Sequence, residues 1–193
     1  MIKPEIRILG FDDGAFVPKS KEKVPVIGVI CRGGKFLDGA LKTEVIVDGL
    51  DATEKITKLI NSTRHKQQLK VIMFDGITLA GFNIVDIKKL YEETKLPVII
   101  INRKMPDLKK VKNALKNFGD FRKRWKMIVN AGKIKECEVR ENKKVYYQSV
   151  GLSEEETEEI IKLSTTRSFI PEPLRLAHLI ATAIVKGESY GRA

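Results

Sequence analysis

The chain is poor in the residues that build soft-metal and redox sites: 193 residues hold two cysteines and two histidines. Cys31 and Cys137 stand far apart with no CxxC pair, which argues against a disulfide framework and a zinc ribbon. Both lie among strand-forming residues, so buried structural thiols are expected. No apolar run approaches the roughly 20 residues of a membrane-spanning helix, and no stretch resembles a secretory leader. A soluble, cytoplasmic protein is therefore expected. Internal repeats and low-complexity linkers are missing too. With 42% hydrophobic residues to fill a core, one medium-sized domain over residues 1–193 is the default.

Acid is also short relative to base. Twenty-five Asp and Glu against 36 Lys and Arg leave a formal net charge of +11, which favours an anionic partner. A solvated lysine-rich surface, of the kind enriched in proteins from hot environments, is the plainer alternative. The charge is uneven, however. Lys104, Lys109, Lys110, Lys112, Lys116, Arg122, Lys123, Arg124 and Lys126 crowd one stretch against Asp107 and Asp120 alone. Nucleic acid is the expected partner, DNA and RNA being left open.

Taken in order, Glu5 to Phe11, Val24 to Arg32 and Phe36 to Asp48 predict three antiparallel strands, with Gly33-Gly34 as a hairpin signal. Asp51 to Glu54 predicts a helix start, Asp51 as N-cap and Glu54 as its capping-box partner. The run Val71-Ile72-Met73-Phe74 ends abruptly in Asp75-Gly76, the pattern of a buried strand. A helix from about Asn83 to Thr94, an interior strand over Pro97 to Ile101 and a basic helix capped by Asp107 follow. Ile134 to Val139 and Lys144 to Val150 predict a hairpin around Glu141-Asn142. Ser153 and Glu156 form a second capping box, and Pro171-Glu172-Pro173 opens a last helix ended by Gly187. A meander followed by alternating helices and strands describes a mixed α/β sheet of the ribonuclease H kind, helices on both faces, with the first strand beside the fourth.

That placement brings together Asp12 and Asp75, each at the carboxyl end of its strand, where open α/β sheets bind ligands. Magnesium or manganese takes carboxylate oxygens from one or two such acids. A third acid at the first helix, Glu54 or its rival Asp51, would complete the set. Each acid also has an ordinary explanation: a turn for Asp12-Asp13-Gly14, a cap for Glu54. His178, three residues from Arg175 on an otherwise apolar helix, is more often a packed residue than a ligand.

Phe74-Asp75-Gly76 and the tail Ile170-Pro171-Glu172-Pro173-Leu174-Arg175-Leu176-Ala177-His178 resemble motifs of endonuclease V. Leu9-Gly10-Phe11-Asp12 looks like that family's catalytic strand. Val47-Asp48-Gly49-Leu50-Asp51-Ala52-Thr53 and the ending from Arg175 to Ala193 look closer to a related archaeal family, DUF-ninety-nine. The resemblance implies an endonuclease V-like fold, metal-binding acids at Asp12, Glu54 and Asp75, and His178 as an outer partner. It places Arg103 where the family has a lysine near the phosphates. Two departures stand out. Gly81 replaces a histidine, and Glu44-Val45-Ile46-Val47 lacks the proline-tyrosine wedge that exposes a deaminated base, so inosine specificity is not implied.

Two functions follow. One is a Mg- or Mn-dependent nuclease or phosphodiesterase, with Arg103, Lys104, Lys109, Arg122, Lys123 and Arg124 on flanking phosphates and Trp125 or Phe121 stacking on a base. The other is a catalytically weak or inactive module that binds nucleic acid or protein on the same fold. A phosphohydrolase acting on a nucleotide with the same acids is a weaker third.

Overall fold

Four apolar runs, each buried along its length, decide the centre of the computed structural model, which describes residues 2–189. They lie in β1 (Arg7–Asp13), β2 (Lys23–Arg32), β4 (Val71–Asp75) and β7 (Val98–Asn102). Together with β3 (Phe36–Ile46), β8 (Lys135–Arg140) and β9 (Lys143–Val150) they make a seven-stranded sheet of order β3-β2-β1-β4-β7-β9-β8. β1, β4 and β7 run parallel, and the flanking strands pair antiparallel. Parallel strands buried on both faces read as continuous apolar runs, which is why these segments were legible.

Alternation along the central strands divides the core. Leu9, Phe11, Ile72, Phe74, Val98 and Ile100 face one layer with Ile56 and Ile60 of α1 (Ala52–Ser62) and Leu90 of α2 (Ile87–Thr94). Ile8, Val71, Met73, Ile99 and Ile101 face the other, with Ile160 and Ile161 of α5 (Glu154–Ser164) and Leu174 of α6 (Glu172–Lys186). α3 (Leu108–Leu115) and α4 (Phe121–Asn130) gather around Ile84, Leu115 and Ile128 in a smaller cluster. Gly10 fixes how closely α6 approaches: a Cβ there would lie 2.6 Å from Pro173 Cβ.

The expected strand order, the first strand beside the fourth, the helices on both faces and the Ser153–Glu156 capping box are all present. Asp107 caps α3 and Gly187, at φ +83°, ends α6. The archaeal-type ending is described only as far as residue 189; residues 190–193 lie outside the described residues. Cys31 and Cys137 are free and buried, and burial pushes their thiols up to about 12 and about 11. No described helix is long and apolar enough to cross a membrane.

Three expectations need correction. The helix foreseen from Asn83 begins only at Ile87. Thr78–Leu79 (β5) and Asn83–Ile84 (β6) pair as a small hairpin, and Asp86 caps the helix through Lys89 N–H. The Asp51–Glu54 capping box is not formed. Asp51 Oδ1 instead accepts from Asn83 Nδ2 at 2.6 Å and Ile46 N at 3.2 Å, while Asn83 Oδ1 accepts the α1 N–H of Ala52. A long-range amide has taken the cap's place. Finally, Asp12 and Asp13 belong to β1 rather than a turn, registered against Ile27 and Val26.

Candidate functional site

The register of β1 on β4 pairs Phe11 with Phe74, so the next residues, Asp12 and Asp75, lie at the carboxyl ends of neighbouring strands. Each follows a residue of the opposite face and so points with Ile8 and Met73 toward the α5–α6 layer. α6, held against β1 at Gly10, carries His178 over the strand end, where its Nδ1 lies 2.8 Å from Asp12 Oδ2. Arg103, one residue beyond β7, donates from Nη2 to Asp75 Oδ2 at 3.1 Å. Two carboxylates, one imidazole and one guanidinium thus converge from β1, β4, α6 and the end of β7.

The pair is electrostatically uneasy. Burial raises the Asp75 carboxyl above its ordinary value and the charge of Asp12 raises it further, while Arg103 and His178 pull it back. Asp12 itself is only 7% exposed. Two desolvated carboxylates that repel each other are a donor set suited to a hard divalent cation, which commonly takes one or two carboxylates, with water and phosphate completing its shell.

The remaining acids separate. Glu54 is exposed and has no hydrogen bond or ion pair among the described residues, and Asp51 is engaged by Asn83. Neither is brought to Asp12 and Asp75. Among the described residues no three His, Cys, Asp or Glu side chains stand close enough together to hold an ion. Asp13, which the sequence disguised as a turn residue, points to the other face of the sheet. Its Oδ2 accepts from Ala80 N at 2.7 Å, and burial, then the charge of Asp12, pushes its carboxyl up to about 7.

The basic stretch divides as well. Lys104, Lys109, Arg122 and Lys123 are exposed. Arg124 is not available to phosphate: it is 4% exposed and all five of its donors are taken within the protein. Nε and Nη2 bind the Asp120 carboxylate, Nη1 reaches the carbonyls of Gly49 and Phe82, and Nη2 also reaches that of Asp48. It is an internal brace. An arginine four residues after an aspartate on a helix was the available signal. Trp125 is half-buried, with Lys112 Nζ 5.2 Å from its ring centroid.

Comparison with known proteins places these observations. The model of the family described as endonuclease dU matches residues 4–185. A UPF0215 protein of Methanothermobacter thermautotrophicus is 52% identical over 193 residues, covering 100% of this chain and 94% of that protein. The crystal structure of an Archaeoglobus fulgidus protein of unknown function has a TM-score of 0.84 at 38% identity, over 94% of this chain and 99% of that one. Ciona intestinalis endonuclease V, solved with DNA containing an inosine, has a TM-score of 0.61 at 15% identity, over 94% and 86%. That last similarity shows the fold.

Proposed function

The chain belongs to the endonuclease dU family, and from that membership we propose that it is a divalent-metal-dependent nuclease cutting DNA at deoxyuridine, which the letters dU denote. The observation that carries this reading is the Asp12–Asp75 pair at the mouth of two parallel strands, under His178. Magnesium or manganese held there would supply positive charge at a scissile phosphate and an activated water. Asp12 and Asp75 are the acids that would hold it. Of the two candidates for a third acid, Glu54 has the uncommitted carboxylate and Asp51 is bound to Asn83, but neither stands with the pair among the described residues.

The chain's own residues have separate tasks. His178 fixes the carboxylate of Asp12 from α6, an outer-partner role that orients a ligand. Arg103 holds Asp75 and brings a fixed positive charge to the edge of the site, on the side where a phosphate would lie. Lys104, Lys109, Arg122 and Lys123 are each exposed and would bind flanking phosphates without reading sequence. We place this work in the cytoplasm.

The test is incubation of the full chain with manganese and with DNA carrying one deoxyuridine. Strand cleavage at that residue, lost in Asp12→Asn and Asp75→Asn, is the expected result. Intact DNA under all metal conditions, with binding retained, would sink it and favour the second reading, a module that binds nucleic acid without cutting. The observation on that side is the absence of a third acid beside Asp12 and Asp75 among the described residues.

A further inference from the structure

We propose that the cavity beside the end of β1, between the β5–β6 hairpin and α3, is a nucleobase pocket that holds the unpaired uracil of the bound strand. This rests on the nuclease reading above and gives it the base-reading element that the sequence lacked. The cavity has a volume of about 720 Å³, within the roughly 300–1,000 Å³ of small-molecule sites.

Its lining has the three chemistries of a nucleotide. Phe16, Phe82 and Phe118 supply aromatic surface, with Phe82 and Phe118 edge to face at 5.5 Å between centroids. Asp48 supplies an acceptor for an N–H on the edge of a base, and Lys19 and Lys21 supply positive charge. A base lifted out of its stack is commonly held in this way, by aromatic faces and edge hydrogen bonds, with cations on the backbone.

The wall is built around Asp48. That residue is 6% exposed at φ +55°, and its Oδ1 accepts from Phe82 N at 2.9 Å. Gly81, at φ +86°, is needed beside it, because a Cβ there would lie 2.4 Å from the same oxygen. Arg124 ties the backbone behind the wall through the carbonyls of Asp48, Gly49 and Phe82, with its guanidinium 4.5 Å from the Phe118 ring centroid. So many ties on one small surface hold it rigid before any ligand arrives.

The pocket is also within reach of the acids. Asp13 joins its edge to β1 through Ala80 N–H. Phe16 follows Asp12 by four residues, so their Cα atoms are at most about 14 Å apart. Neighbouring nucleotides of a splayed strand can bridge that distance.

The experiment uses the full chain and single-stranded oligonucleotides that differ only in one uracil or cytosine. Affinity is measured by fluorescence anisotropy in EDTA, and cleavage with manganese. Two variants address the pocket. Ala114→Phe fills it from the wall that α3 supplies, where Ala114 is half-buried, and Phe118→Leu removes a ring. The native chain should prefer the uracil strand, and both variants should lose about tenfold of that preference, the scale of one base–aromatic stack. Binding of the cytosine strand should not change. Variants that bind and cut at uracil as selectively as the native chain would overturn the pocket while leaving the nuclease reading intact. A native chain that does not distinguish uracil overturns both. Deoxyuridine monophosphate competing as tightly as the oligonucleotide would assign the cavity to a free nucleotide and overturn the strand-bound base.

Discussion

His178 Nδ1 and Asp12 Oδ2 lie 2.8 Å apart, joining the last helix to an acid near the end of the first strand across 166 residues of sequence. The imidazole restricts which way the carboxylate turns, and therefore how it would meet the cation of the proposed site. His178→Ala should leave the fold in place, since the ring is partly exposed, and lower manganese affinity about 10- to 100-fold, the usual effect of removing an outer partner. Isothermal calorimetry of the native chain and the variant checks this. Equal affinities would reduce the contact to packing.

Arg124 makes the opposite prediction: a large loss of stability without a direct loss of metal. Replacement by methionine keeps its volume but orphans the Asp120 carboxylate and the carbonyls of Asp48, Gly49 and Phe82. Breaking a buried pair of this kind costs about 3–5 kcal/mol. Asp120 is one-third exposed, which puts the expected value near the lower end, about 3 kcal/mol. Urea denaturation measures it, and a loss below about 1 kcal/mol would remove the brace from the account.

The same residue shows where sequence runs out. Arg122, Lys123 and Arg124 are indistinguishable as a string, yet the helical turn of α4 sends two outward and one into the interior. The central strands were legible because runs such as Val71–Phe74 have the right length and a charged end. Asp12 and Asp75 were legible because strand register follows from topology. Asn83 was not, because its three hydrogen bonds reach Ile46, Asp51 and Ala52, more than 30 residues away. It stops a helix that local pattern would have started, and it draws Asp51 away from its cap. Asp13 was hidden for a similar reason, its partner Ala80 being 67 residues on. The aromatic pocket draws Phe16, Phe82 and Phe118 from three separate segments, so no window of sequence contained it.

The exposed cations of the basic stretch lead to a prediction about salt. Each phosphate contact adds about 0.9 to the slope of log affinity against log salt concentration for duplex DNA. Arg122→Ala and Lys123→Ala should each flatten that slope by about 1 and weaken binding equally on all sequences, with little change in stability. Anisotropy titrations at several salt concentrations read both quantities. An unchanged slope in the double variant would place the nucleic-acid track elsewhere on the surface.

Acid should undo the Arg124 brace. The hydrogen bonds and charge of Arg124 hold the Asp120 carboxyl below its ordinary value of 3.8. A carboxyl lowered in the folded state binds fewer protons there than in the unfolded chain. Its contribution is therefore complete above about pH 5, shrinks as pH falls through 3.8, and is lost once pH drops below the folded-state value. Asp120→Asn removes the titrating group and keeps one acceptor oxygen. Urea unfolding of native and variant should show the native chain ahead by a constant margin between pH 5 and pH 7, narrowing steadily toward pH 3. Because Asp120 is partly solvent-exposed, the margin is modest, and 1 M salt should leave most of it, since the short bonds to Arg124 are screened far less than distant surface charges. A margin that stays constant down to pH 3 would mean that Arg124 is held by the three carbonyls alone.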